Sequence, residues 1–334
     1  MDTQSAVAYC DNGKADDDIT SIRVIQEWPG NKATLEKVPS RISYGPPPEV
    51  AIKWGYLIKP NDKARPHALM KLKLDERLRK SKQLRLLLQF LASGIDSLSL
   101  NDLDSDDEDG PPEYPGKSPV DVVADYLSEV RASAYKTLEM KYGAELFSML
   151  NKVLVITVPA VWSEHAKDQT LKAVTKSNWG ASKIGLVTEP EAAAIYTLKY
   201  MNQGVNRDQV TRGDSFVLCD AGGGTVDLIS YKVTNTTPHF AIEEAVVGSG
   251  DKCGATYVDQ EFLSWLKSWL GEEAFNLIPE QKLRHGSRLM NDFELAKNGF
   301  SGVEDDMEVQ LPRECGIEDD EEKGIEDYSL TINW

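Results

Sequence analysis

Three consecutive glycines, Gly222, Gly223 and Gly224, stand between two acids, Asp220 and Asp227, with Thr225 at the mouth of the turn. Glycine reaches backbone angles closed to other residues and leaves no side chain in the way. The N–H groups of such a run can turn inward around an anion. A carboxylate beside the turn can hold Mg²⁺ against a phosphate, directly or through its water shell. A Gly-rich hairpin between buried strands also reads as a tight turn and nothing more; the flanking acids favour the ligand. A further acid, Glu189, lies in Thr188-Glu-Pro-Glu191, a capping-box pattern with Pro190 in the first helical turn. It stands where a strand passes into a helix, the place where open α/β sheets hold ligands. Taken alone, Glu189 reads first as an acid answering the helix dipole.

The elements around these residues follow from periodicity. Asp227, Ile229 and Tyr231 alternate with Val226, Leu228 and Ser230, the two-residue period of a strand. No helix follows the glycines, so the motif is a hairpin and not a P-loop. Upstream, residues 153–158 read as a buried strand closed by Pro159. A helix is expected from about Ser163, with Ala166, Thr170, Leu171 and Val174 on one face, then a strand over 184–187. Ala192 to Leu198 continues the Glu189 helix, which Gly204 can end. Ser118 caps a long helix starting at Pro119, with Val122, Val123, Tyr126, Leu127, Val130 and Ala134 on one face. Gly116-Lys117-Ser118 imitates the end of a Walker A motif, but Pro111 occupies the place of the required glycine and no strand precedes it.

Together these segments reach a family. Residues 153–174 (VLVITVPAVWSEHAKDQTLKAV), 184–198 (IGLVTEPEAAAIYTL) and 217–233 (VLCDAGGGTVDLISYKV) resemble the ATPase domain of the Hsp70 chaperones, within the actin-like ATPase superfamily. The segment 254–262 resembles that family's Gly-Gly-x-x-Phe-Asp, and 293–301 its Glu-x-Ala-Lys-x-x-x-Ser adenine helix. Cys253-Gly254 and Trp265 look closer to a divergent Hsp70-like branch common in fungi. The resemblance implies an α/β, actin-like ATPase (ribonuclease H-like) fold, two-lobed and incomplete, with mixed five-stranded sheets about a cleft. The first lobe is expected over 1–205, its outer subdomain over about 45–115 with an acidic loop at 101–115. The second is expected over 213–334, its outer subdomain over about 248–334. Thr3, Ser5, Val7, Ala8 and Tyr9 match the second half of the family's first phosphate loop, and the hairpin is expected opposite Val7 to Tyr9. The strand, metal-side Asp and glycine of that loop have no counterpart, and the chain stops at Trp334 before the family's adenosine loop. The chain therefore reads as truncated at both ends.

What the resemblance implies for the site is ATP or ADP bound with Mg²⁺. Thr3, Gly222, Gly223, Gly224 and Thr225 would hold the phosphates. Asp220 and Asp227 would orient Mg²⁺. Glu189, Asp220 and Lys71 would form the catalytic set, with Glu189 positioning the attacking water. Lys73 is the alternative to Lys71, and a solvated strand face is the plain reading of both. Glu294, Lys297 and Ser301 would contact adenine and ribose, where the family's following Arg is here Asn298. The implied function is a nucleotide-binding domain with ATP hydrolysis in a chaperone-type or switch role, serving protein clients or co-chaperones. A non-hydrolysing scaffold, or a truncated product without function, is the alternative.

Composition narrows the partners. A net charge of −17 argues against nucleic acid and anionic membrane. With 334 residues, 41% of them hydrophobic, a core for one or two domains is available. Four cysteines without metal spacing suit reduced thiols in the cytoplasm, and Cys219 falls in a strand expected to be buried. The first 18 residues lack the apolar run of a signal, and no stretch approaches the length of a membrane span. His67, His165, His239 and His285 read as scattered surface positions.

Overall fold

The computed structural model describes residues 4–11, 21–45, 51–59, 62, 66–76, 116–203, 210–223, 226–237, 240–251, 253–302 and 306–332. Thr3, Gly204, Gly224, Thr225 and the acidic loop 101–115 lie outside the described residues, as does most of the 45–115 segment.

Seven short strands come first: β1 (Gln4–Ser5), β2 (Ala8–Tyr9), β3 (Arg23–Val24), β4 (Val38–Pro39), β5 (Arg41–Tyr44), β6 (Ile52–Trp54) and β7 (His67–Ala68). A 3-10 turn, Met70–Leu74, follows them. Then come α1 (Pro119–Tyr142), α2 (Ala144–Met149), β8 (Val153–Val158), α3 (Glu164–Lys176), β9 (Lys183–Thr188) and α4 (Glu189–Gln203). The next segment holds β10 (Ser215–Ala221), β11 (Val226–Asn235), β12 (Ala241–Asp251) and α5 (Ala255–Leu270). The chain continues through α6 (Glu272–Asn276), α7 (Glu280–Leu283), α8 (Arg288–Gly299), β13 (Met307–Gln310), β14 (Ile325–Glu326) and β15 (Ser329–Ile332).

Helix and sheet are mixed, consistent with the expected α/β class. The expected five-stranded sheets are not found: among the described residues every sheet holds two or three strands. The first four strands are two residues each, so their ladders carry too few hydrogen bonds to support a wide sheet. Strand β8 runs parallel to β9 in the register Val153↔Lys183 to Val158↔Thr188, with α3 as the crossover. Strands β10, β11 and β12 form an antiparallel meander.

Local signals explain the helices that frame the site. Ser118 accepts from the Asp121 N–H at 3.3 Å, and Asp121 accepts from the Ser118 N–H at 2.9 Å, a closed capping box ahead of Pro119. Val122, Val123, Tyr126, Val130 and Ala134 are the buried face of α1. Ser163 caps α3 through the Ala166 N–H at 3.2 Å, and Ala166, Thr170, Ala173 and Val174 are buried. The core runs through Trp28, Trp54 and Tyr126, whose rings meet edge to face at 6.3 and 6.1 Å.

Two strands expected to be buried are covered on one face only. Val153 and Val155 of β8 are 55% and 59% exposed, Val217 of β10 is 67% exposed, and Cys219 is exposed beside it. An unbroken apolar run does not reveal whether one face or both will meet packed neighbours. The hairpin's second strand keeps its alternation: Asp227, Ile229, Tyr231 and Val233 are buried and Leu228 is not.

His67 departs from its expected surface role. It packs edge-on against Tyr44 at 5.6 Å, and burial, then the charge of Lys73, push its pKa down to about 4. The folded chain therefore binds a proton on His67 less readily than the unfolded chain. Its contribution is complete above pH about 6.5 and is lost as pH falls toward about 4. Urea unfolding at pH 7 and pH 4.5 should show His67→Gln losing less stability across this interval than the parent, by roughly 1 kcal/mol after allowance for partial exposure. Equal losses would exclude His67 as the source.

Candidate functional site

The glycine turn joins β10 to β11, and the register sets Asp220 directly opposite Asp227. Directly opposed like charges repel on a sheet face, so the pair favours a cation between or beside them. Asp227 is 2% exposed and its carboxylate packs over Gly250 of β12, where even a methyl group would collide with Oδ1. Two carboxylates beside a glycine turn fit Mg²⁺, which keeps much of its water shell and takes one or two protein oxygens. Among the described residues no group of three or more His, Cys, Asp or Glu side chains forms a metal cage.

The turn is stapled to the first turn of α5. The carbonyl of Gly222 accepts from the Ala255 N–H at 3.1 Å, and that of Gly223 accepts from the Thr256 N–H at 2.8 Å and Thr256 Oγ1 at 2.7 Å. Gly254 makes this possible: a Cβ there would lie 2.5 Å from the Gly222 oxygen and 2.6 Å from the Gly223 carbon and oxygen.

On the other side of the turn, Ala194 of α4 packs with Ile229 and Tyr231 of β11, and Thr188 hydrogen-bonds the Tyr231 side chain. This seam brings the β9–α4 junction, and with it Glu189, against the hairpin sheet. Thr188 Oγ1 accepts from the Glu191 N–H at 3.3 Å, so the expected cap is formed. Lys71, from the 3-10 turn rather than a strand, forms an ion pair with Glu189 Oε1. Its Nζ also lies 5.5 Å from the centroid of the Trp162 ring. Lys73 instead lines a separate depression with Ser118 and His165.

A cleft runs from Gly223 past Thr256 and Asp259 to Glu294 and Lys297, faced across by Gln4, Ser40 and Arg41. The expected opposing segment, Val7 to Tyr9, is not in its wall; Tyr9 lies under the Lys141 ammonium, 4.4 Å from ring centroid to Nζ. The two-residue β1 places Gln4 in that wall, paired across from Pro39. Lys297 pairs with Asp259 at 2.7 Å and Glu294 at 2.5 Å. Burial lowers the Lys297 pKa, but the two carboxylates outweigh it and hold the ammonium above the usual lysine range. At Asp259 burial prevails over Lys297 and raises its carboxyl. Ser301 falls beyond the end of α8, is exposed, and is not in the cleft wall.

Asp259 and Arg41 have no assigned role in the sequence reading, and His285, read there as a surface position, lines the cleft. Arg41 reaches the carbonyls of Gly55 and Ile58 at 3.1 and 3.0 Å. His285 keeps an exposed edge in the cleft, while burial of the rest, then Arg41, hold it below its ordinary pKa. Each looks like an isolated surface charge in one dimension, because the cleft gathers residues from segments more than 200 positions apart.

No helix among the described residues is long and apolar enough to cross a membrane, and no protein-family model matches the chain. Similarity to named proteins is nevertheless clear. A chaperone protein HscA homolog of Paracidovorax citrulli is 32% identical over 161 residues, covering 47% of this chain and 22% of the relative. The homolog of Ralstonia nicotianae is 30% identical over 202 residues, 60% of this chain and 27% of the relative. That of Acidithiobacillus ferrooxidans is 28% identical over 198 residues, with 59% and 27% covered. The matched region thus spans about a quarter of each relative's length. Over about half its residues, the chain is similar to Hsp70-family chaperones at roughly 30% identity.

Proposed function

We propose that this chain is an Hsp70-like nucleotide-binding domain that takes Mg-ATP and Mg-ADP in the cleft between two lobes, 1–205 and 213–334, of an actin-like ATPase fold. The observation that carries the reading is Lys71, whose ammonium meets the Glu189 carboxylate from 118 positions away. In the proposed site the hairpin glycines hold the phosphates. Asp220 and Asp227 hold Mg²⁺, which neutralises phosphate charge when bound. Lys71 supplies a fixed positive charge at the transferred phosphoryl group, and Glu189 orients the attacking water. Such positioning and charge stabilisation carry most of the catalysis in phosphoryl transfer. Glu294 and Lys297 face the nucleoside end. Protein clients or co-chaperones in the cytoplasm are the proposed partners, and Cys253-Gly254 with Trp265 support a placement on the divergent branch common in fungi.

Titration calorimetry with Mg-ATP and Mg-ADP tests the reading. The parent chain should bind both, and Gly223→Val should weaken binding by about tenfold or more, because its side chain enters the phosphate site. Equal affinities for parent and variant would remove the hairpin from the site. Binding without phosphate release would assign the chain to the non-hydrolysing scaffold class.

A further inference from the structure

Trp162 lies between β8 and α3 and is 4% exposed. Its Nε1 is buried and finds no hydrogen-bond acceptor among the described residues. Trp28 and Trp269, by contrast, donate to the carbonyls of Leu35 at 2.9 Å and Lys323 at 3.1 Å. A buried N–H left unmade is unfavourable, and a phenylalanine would fill the same core position without it. What tryptophan adds beyond phenylalanine is the ring face most attractive to cations. The Lys71 ammonium lies 5.5 Å from that ring's centroid, within the range of the attraction. Trp179 also lacks an acceptor, but it packs edge-on with Tyr135 at 5.8 Å and has no cation over its ring among the described residues. The orphaned N–H therefore does not single out Trp162; the ammonium above the ring does.

Lys71 needs a second restraint. Its stem is long and rich in rotamers. Met70, Leu72 and Leu74 bury the turn that carries it, which fixes its backbone but not its side-chain tip. Among the described residues Glu189 is the one carboxylate paired with the ammonium. We propose that Trp162 is a positioning residue for Lys71, its indole face forming the wall that keeps the ammonium at Glu189. The catalytic consequence rests on the nucleotide reading above; the positioning does not.

Competitive acetylation with acetic anhydride between pH 7 and 10, read by mass spectrometry, tests it without any substrate. Lys53, ion-paired with Asp62, serves as the internal reference. Trp162→Leu removes the ring face and should raise the Lys71/Lys53 labelling ratio about threefold to tenfold. Trp162→Phe should give a smaller rise while melting at or above the parent temperature, because the orphaned N–H is gone. An unchanged ratio in a natively melting Trp162→Leu overturns the proposal. So does a Trp162→Phe that melts lower with unaltered labelling, the signature of a mere space-filler. Should Trp162→Leu not fold, the Trp162→Phe ratio decides alone. A labelling shift in Trp162→Leu, with a parent chain that releases no phosphate from ATP, would overturn the hydrolytic reading and leave the positioning role standing.

Discussion

If the proposed function holds, replacing Lys71 with Met is expected to lower single-turnover phosphate release from Mg-ATP by about 100- to 1000-fold, the range for removal of one preorganised charge from a reacting centre. Nucleotide affinity should change by less than about threefold, because in the proposed role the lysine acts on charge that develops during transfer and not on the bound ground state. The companion variant Lys73→Met leaves release within about twofold, since Lys73 faces a depression lined by Ser118 and His165 and not Glu189. Rapid-quench measurements on both variants separate the two lysines. Comparable losses in both, or none in Lys71→Met, would break the link between the Lys71–Glu189 pair and turnover.

Gly254→Ala is expected to destabilise the chain by about 3 kcal/mol, at the upper end of what overpacking a close contact produces. The added methyl would sit 2.5 to 2.6 Å from backbone atoms of Gly222 and Gly223, and backbone cannot swing aside as a side-chain tip can. Relief requires the turn and the first turn of α5 to part, which breaks the hydrogen bonds to Ala255 and Thr256. The proposed phosphate site should therefore suffer along with stability. Gly185→Ala on β9 is the control: a Cβ there meets nothing within 4 Å, so its change should stay within about 1 kcal/mol. Chemical denaturation of the two variants beside the parent measures the contrast. Similar small losses for both would mean that the seam between turn and helix is slack.

Elements whose signals are local were legible before the fold was seen. Ser118-Pro119 with its following apolar stripe, the β8–α3–β9–α4 succession and the alternation through Asp227 to Val233 each rest on neighbours within a few residues. What could not be read depends on who packs against whom. The outer faces of Val153, Val155 and Val217 carry the same residue types as covered strands, and only the arrangement of other elements leaves them bare. Lys71 was nominated from resemblance, yet its 3-10 turn has no period that distinguishes it from a short strand. Asp259, Arg41 and His285 have no spacing between them that any sequence pattern would notice. Trp162 reads as ordinary core until the ammonium over its ring is located.

The contacts of α5 fasten the two ends of the cleft to its N-terminal half. At sixteen residues it is about 24 Å long. Its first turn is tied to the Gly222 and Gly223 carbonyls; a little further along, Asp259 grips Lys297 at 2.7 Å and Phe262 stacks on Phe293 at 3.8 Å between ring centroids. A helix so held tilts as one piece. The glycine turn and Lys297 are fastened to the same two turns of one helix, so a displacement of either would act on a shared support. The two ends of the cleft thus share one mount, the N-terminal half of α5.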